Sequence, residues 1–202
     1  WGVQIVHFGG VLPRAHAGSP QHPGNGGRQD APEATSENIL EPDEKGQLSY
    51  TGLVFSPDGR FLYMSNVNGS LKVFAVGEDG AVTPARSILL PPAGAPRRGE
   101  EIPSGLALAG DGRRLYVCGN LSNRLYELEA EPGTVLRTFD GGVAPFDVVL
   151  ARGKAYVSNW GGRRPGPGDL AGPAGHGTEV RVDPVRHIAS EGSISGVDLA
   201  SG

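Results

Sequence analysis

Asn159, Trp160, Arg163, Arg164, Asp169, His176, Asp183 and His187 are residue types that bind ligands or react, and they fall within one stretch of about thirty residues. Carboxylates and imidazoles are metal-ligand types, and arginine presents a rigid fork to anions and carboxylates. Asp169, His176, Asp183 and His187 follow one another at intervals of seven, seven and four residues, which matches no compact metal motif. No metal site is assigned to them. No Ser-His-Asp order and no paired carboxylates stand out elsewhere, so no catalytic residue is assigned. What the eight share is position: most belong to a stretch, 161–192, too long for a passive hairpin connection. Long loops on a rigid scaffold are where binding residues gather. The eight are therefore candidates for a ligand- or partner-binding surface, against the plainer reading of an insertion that packs on its scaffold.

The bulk properties narrow the classes of function. The chain has 202 residues, with 33 glycines and 17 prolines, a composition of many turns and short elements. Its net charge of −4 comes from interspersed acids and bases, without the basic face that nucleic acids require. No apolar run reaches the length of a membrane span. The single cysteine, Cys118, excludes an internal disulfide. It has no basic neighbour in sequence and reads as a buried, inert thiol. Residues 1–46 are rich in Pro, Gly, Asn and charge and read as an irregular or disordered segment.

From residue 47 the texture is all-β, with short Val/Leu/Phe/Tyr runs separated by Gly, Pro, Asp and Asn corners. The pattern repeats. Gly52-Leu-Val-Phe-Ser-Pro-Asp-Gly59 is followed by Leu62-Tyr63, and Gly105-Leu-Ala-Leu-Ala-Gly-Asp-Gly112 by Leu115-Tyr116. A third copy starts at Phe146, one residue shorter at its corner, and keeps Gly153 and Ala155-Tyr156. Each copy is followed by further candidate strands, so the unit is four short strands in roughly 40 residues. That period and content predict β-propeller blades of four antiparallel strands each. About three blades, the last incomplete, are expected at 48–92, 103–141 and 143–202, with the long insertion at 161–192. Nearly continuous apolar inner strands fit blades buried on both faces. Asn66 and Asn159 end equivalent strands. They read either as amides at a channel mouth or as turn caps.

The stretches Phe55–Asn66, Gly110–Asn120 and Gly153–Trp160 resemble the repeats of YVTN-type β-propellers. The third copy, with Asn159-Trp160-Gly161-Gly162 and the downstream Val182–Leu199, resembles the kind fused to a C-terminal alkaline-phosphatase-like phosphoesterase domain. The resemblance implies an N-terminal part of a larger protein. Its partners would be the missing C-terminal blades and the fused domain. It implies no cofactor in this chain, any metal belonging to the downstream domain, and a periplasmic or extracellular location. The first-copy hairpin through Thr83-Pro84 also resembles lactonase-type propellers, which implies an alternative: hydrolysis of a sugar lactone.

Overall fold

The computed structural model describes residues 48–201, and the segment read as irregular, 1–46, lies outside them. Every regular element among the described residues is a strand. The first sheet holds β1 (Leu48–Phe55), β2 (Phe61–Asn66), β3 (Ser70–Val76) and β4 (Val82–Leu89) in sequential antiparallel order. The second repeats this with β5 (Pro103–Leu108), β6 (Arg114–Gly119), β7 (Arg124–Glu129) and β8 (Val135–Asp140). The third holds β9 (Pro145–Ala151), β10 (Lys154–Asn159) and β13 (Ser193–Asp198). Between β10 and β13 a separate hairpin is made by β11 (Ala171–Ala174) and β12 (Thr178–Arg181). The first strands lie side by side, β1 against β5 and β5 against β9. Four-stranded meanders stacked through their first strands are blades of a β-propeller.

The corners show why the repeat is legible. Gly59 donates its N–H to Ser56 O, and Asp58 Oδ1 accepts the N–H of Arg60. Gly112 and Asp111 repeat both bonds, to Ala109 O and from Arg113 N–H. Gly59 and Gly112 both have φ near +70° (73° and 71°), a region open to glycine at little cost.

The third corner differs from expectation. Arg152 (φ 51°) and Gly153 (φ 73°) form a two-residue turn with Ala151 paired to Lys154, the form whose twist matches a hairpin. It is two residues shorter than the other corners, not one. The register shifts accordingly: Val148 pairs with Val157 as Leu106 pairs with Val117, so Asp147 and not Phe146 occupies the place of Gly105.

Two apolar layers hold the stack together. Tyr63, Leu71 and Val73 of the first sheet pack with Leu115, Val117 and Leu128 of the second. Tyr116 and Leu125 on the second sheet's other face pack with Ala155, Val157 and Val197 of the third. Burial of each large side chain contributes about 1.5–3 kcal/mol. Backbones approach closely at the first strands. A Cβ on Gly105 would stand 2.4 Å from Asp147 Cα, and one on Gly52 2.2 Å from Ser104 O. Continuous burial is confined to the inner strands: β4 and β8 alternate, as outer strands with one solvated face do.

Candidate functional site

The insertion is an ordered structure rather than a slack loop. It leaves β10 through two reciprocal bonds, Gly161 N–H to Val143 O at 2.9 Å and Val143 N–H to Gly162 O at 2.8 Å. Gly161 is glycine because Val143 and Val180 close over it; an added Cβ would lie 2.6 Å and 3.0 Å from their methyl carbons. Val143 and Val180 are both buried, so β12 is fastened to the scaffold by an apolar contact. At the far end Arg97, in the connection between the first two sheets, donates its N–H to His176 O at 3.0 Å. Its guanidinium reaches Gly175 O at 2.8 Å. The hairpin therefore bridges from the third sheet to the connection that precedes the second.

Charge pairing organises the root of the insertion. Arg163 grips Asp169 with two bonds of 2.7 and 2.8 Å, and Arg181 Nε adds a third at 3.1 Å. Arg181 also bonds Glu191 on the returning chain. The hydrogen bonds from Arg163 and from Gly166 N–H hold the Asp169 carboxyl well below the ordinary carboxylate range. Arg164 points the other way. It donates to Gly141 O, Asn123 O and Asp140 of the second sheet at 2.7–3.0 Å.

The residues singled out from sequence are thus placed in five different settings. Asn159 is buried, its amide nitrogen reaching Ser195 Oγ at 2.9 Å and Ser193 Oγ at 3.2 Å. Trp160 is exposed and stacks on Phe146, with ring centroids 4.2 Å apart. Arg163, Arg164 and Asp169 are consumed by the pairs above. Asp183 and His187 close a tight loop: Asp183 Oδ1 accepts the N–H groups of Val185 and Arg186, and His187 N–H bonds Asp183 O. These two backbone bonds are what hold the Asp183 carboxyl below its usual range. His176 contributes its backbone to Arg97. The eight side chains do not converge on one point, and among the described residues no group of three His, Cys, Asp or Glu is placed to hold a metal. What the insertion does present is three exposed apolar side chains, Leu170, Val185 and Ile188.

Two features escaped sequence reading. Arg97, Arg98, Glu100 and Glu101 look like a solvated run whose charges cancel. In the structure Arg98 bonds Val67 O, Arg97 clamps the hairpin, and Glu101 is completely buried. Glu101 accepts from Ile102 N–H, Leu121 N–H and Tyr126 Oη at 2.9, 2.9 and 3.0 Å. Burial pushes the Tyr126 phenol up to about 12, which keeps it a donor to that carboxyl group. The second feature is an open groove of about 800 Å³ between β8 and β13, lined by Arg137, Phe139, Lys154, Val197 and Asp198. Its charges are already paired, Arg137 with Glu127 at 2.6 Å and Lys154 with Asp198 at 3.2 Å.

No family model matches the chain, and no curated protein matches it in sequence. Solved structures do. A protein from Lactobacillus plantarum is 21% identical over 75% of this chain and 42% of its own length, with a TM-score of 0.50. The periplasmic gluconolactonase of Pseudomonas aeruginosa is 23% identical over 73% of this chain and 39% of its own, with a TM-score of 0.45. The Cps50 (Swd1) β-propeller domain of Myceliophteria thermophila is 15% identical over 59% and 36%, with a TM-score of 0.43. The chain spans between 36% and 42% of the length of these three structures. The likeness is one of fold.

Proposed function

We propose that this chain is the scaffold and binding part of a larger YVTN-type propeller protein. In this reading the insertion between β10 and β13 is the surface that engages a partner. One observation carries it. The insertion is fastened at three places, through Val143–Val180, Arg163–Asp169–Arg181 and Arg97–His176, while Leu170, Val185 and Ile188 remain uncovered. A fixed backbone that displays apolar side chains loses little entropy on binding. The partner proposed is a phosphoesterase domain on the same polypeptide, in an extracytoplasmic compartment, as the residues around Asn159-Trp160-Gly161-Gly162 suggest by resemblance.

The test is enzymatic and uses the protein from the complete reading frame. Phosphodiester hydrolysis without lactone hydrolysis is the expected result. Replacing residues 163–191 by a short Gly-Asn turn should leave the sheets folded and alter that phosphodiester activity. Lactone turnover would instead support the alternative, a lactonase-type propeller to which the first hairpin also bears a resemblance. Absence of both activities would leave a purely binding role.

A further inference from the structure

The stretch between β12 and β13 is held differently from the rest of the insertion. Residues 184–192 are exposed without interruption. At their start the chain closes a single turn. Asp183 Oδ1 accepts the N–H groups of Val185 and Arg186, His187 N–H bonds Asp183 O, and Asp183 N–H bonds Ile188 O. All four bonds lie within residues 183–188. Past the turn, the N–H groups of residues 188–191 donate to no group among the described residues. His187 has a φ of 54°, in the left-handed region that a residue with a Cβ enters at a cost. Opening this turn therefore breaks only local, solvent-exposed bonds and relieves a backbone strain. Segments of that kind open more often than packed ones.

The arginines of the molecule differ accordingly as peptidase substrates. An arginine-specific serine endopeptidase takes the side chain into a pocket and the flanking backbone as an extended strand. Arg163 is held by Asp169 through two bonds, and Arg164 by Gly141 O, Asn123 O and Asp140. Arg181 bonds Asp169 and Glu191 and follows the buried Val180. Arg60, Arg113 and Arg152 lie in corners that join paired strands. Arg186 is different: its side chain is 65% exposed and touches one carboxylate, Asp183, at 3.6 Å. An exposed pair of that length restrains it little.

The ends of the stretch are fixed. Upstream, Val180 is buried beside Val143 and Gly161. Downstream, Glu191 bonds Arg181, and the Asn159 amide nitrogen reaches Ser193 and Ser195 of β13. A chain broken between these anchors keeps both new ends in place.

We infer that the Arg186–His187 peptide bond is a processing site for an arginine-specific serine endopeptidase, gated by the Asp183 turn. The peptidase serine oxygen attacks the Arg186 carbonyl carbon. The C–N bond to His187 breaks, and the His187 amine leaves with the proton taken from the serine. Water then hydrolyses the acyl intermediate and leaves a carboxylate on Arg186, so one water is consumed overall. The cut falls between Val185 and Ile188, two of the three exposed apolar side chains of the insertion. That cleavage would disable a partner surface rests on the scaffold reading above; the cleavage itself does not.

Limited digestion of the protein from the complete reading frame, with trypsin as the probe and mass spectrometry of the fragments, tests the site. The first cut should follow Arg186, at least about 10-fold faster than cuts after Arg163, Arg164 or Arg181. Arg186→Gln should abolish that cut and leave the urea midpoint unchanged. Asp183→Ala removes two of the four turn bonds and should speed the cut by about 10-fold. The nicked protein should keep the urea midpoint of the intact one. Equal rates after Arg163 or Arg181, or no cut after Arg186 short of global unfolding in urea, overturns the inference. An unchanged rate in Asp183→Ala overturns the gate. Phosphodiester hydrolysis by the nicked protein is assayed separately. A parent without that activity removes the scaffold reading and leaves the cleavage pattern as it is.

Discussion

The carboxyl group of Glu101 lies where a side chain on Gly119 would be. A Cβ on Gly119 would stand 2.7 Å from Glu101 Oε2, and 2.5 Å from the ring of Tyr126. Gly119 is the register equivalent of Asn66 and Asn159, the residues paired with the first position of the following strand. In the first and third sheets the asparagine amide ties that hairpin through Ser70 or through Ser193 and Ser195. In the second sheet the glycine vacates the space, and a carboxyl group from the preceding connection makes the tie through Leu121 N–H and Tyr126 Oη. The amide nitrogens of the two asparagines are internal fasteners, while Asn66 Oδ1 and Asn159 Oδ1 are buried without a hydrogen-bond partner.

Gly119→Ala should therefore destabilise the protein by about 1–3 kcal/mol through overpacking. Glu101→Ala should cost a similar amount or more, because it leaves the buried Leu121 N–H without its acceptor and the Tyr126 phenol with Ser122 Oγ alone. The double variant should be less damaging than the sum of the two, since each change relieves the other. Urea unfolding of the four proteins measures the coupling, and strict additivity would show that the two residues do not share the space.

Gly105→Ala should be far more damaging than Gly59→Ala. Its Cβ meets backbone, Asp147 Cα at 2.4 Å, which cannot move without separating two sheets. A loss above about 3 kcal/mol, or failure to fold, is expected. Gly59→Ala meets nothing within 4 Å and pays only for φ of 73°, about 1 kcal/mol. Comparing soluble yield and urea midpoint of the two variants checks the order.

Val180→Ala should loosen the insertion while sparing the sheets. The side chain is buried against the Gly161 and Val143 junction, and its truncation should cost about 1–2 kcal/mol of local stability. Arg164→Ala removes exposed bonds only and should cost under about 1 kcal/mol. Trypsin cleavage between 163 and 191 should accelerate strongly for the first and weakly for the second.

Acid should release the root of the insertion. The bonds from Arg163 and Gly166 hold Asp169 below its ordinary value of 3.8. A carboxyl whose folded-state value is depressed contributes its full stabilisation above that ordinary value and loses it as the pH falls through the lower one. Amide signals of Gly172 and Val180 should stay fixed from neutral pH down to the ordinary carboxylate range and shift below it. Asp169→Asn should show the loosened signals already at neutral pH.

Sequence carried the repeated parts of this molecule and lost the unique ones. Leu62-Tyr63 and Leu115-Tyr116 after Asp-Gly corners announce two blades, because turn chemistry and apolar pairing are both local. The third copy reads at the wrong spacing, since its corner, closed by Arg152-Gly153, is two residues shorter than the other two and Asp147 moves into the glycine position. The insertion is found by length, but β11 is written in Ala, Gly and Pro, and the β11–β12 hairpin owes its order to distant Val143 and Arg97. Glu101 was illegible for the same reason. What buries it is the absence of a side chain eighteen residues later, which local sequence does not disclose.

The strands deliver their connections to two ends of unequal character. One end receives the corners at 56–60, 109–113 and 152–153, all short and closed by their own hydrogen bonds. The other receives the links at 90–102 and 160–192, the two longest among the described residues, which bond to each other through Arg97. Length can therefore accumulate at one end without disturbing the geometry of the other. Grafted loops or affinity tags should be tolerated better at that end than at Arg152-Gly153, so the molecule comes with a built-in top and bottom.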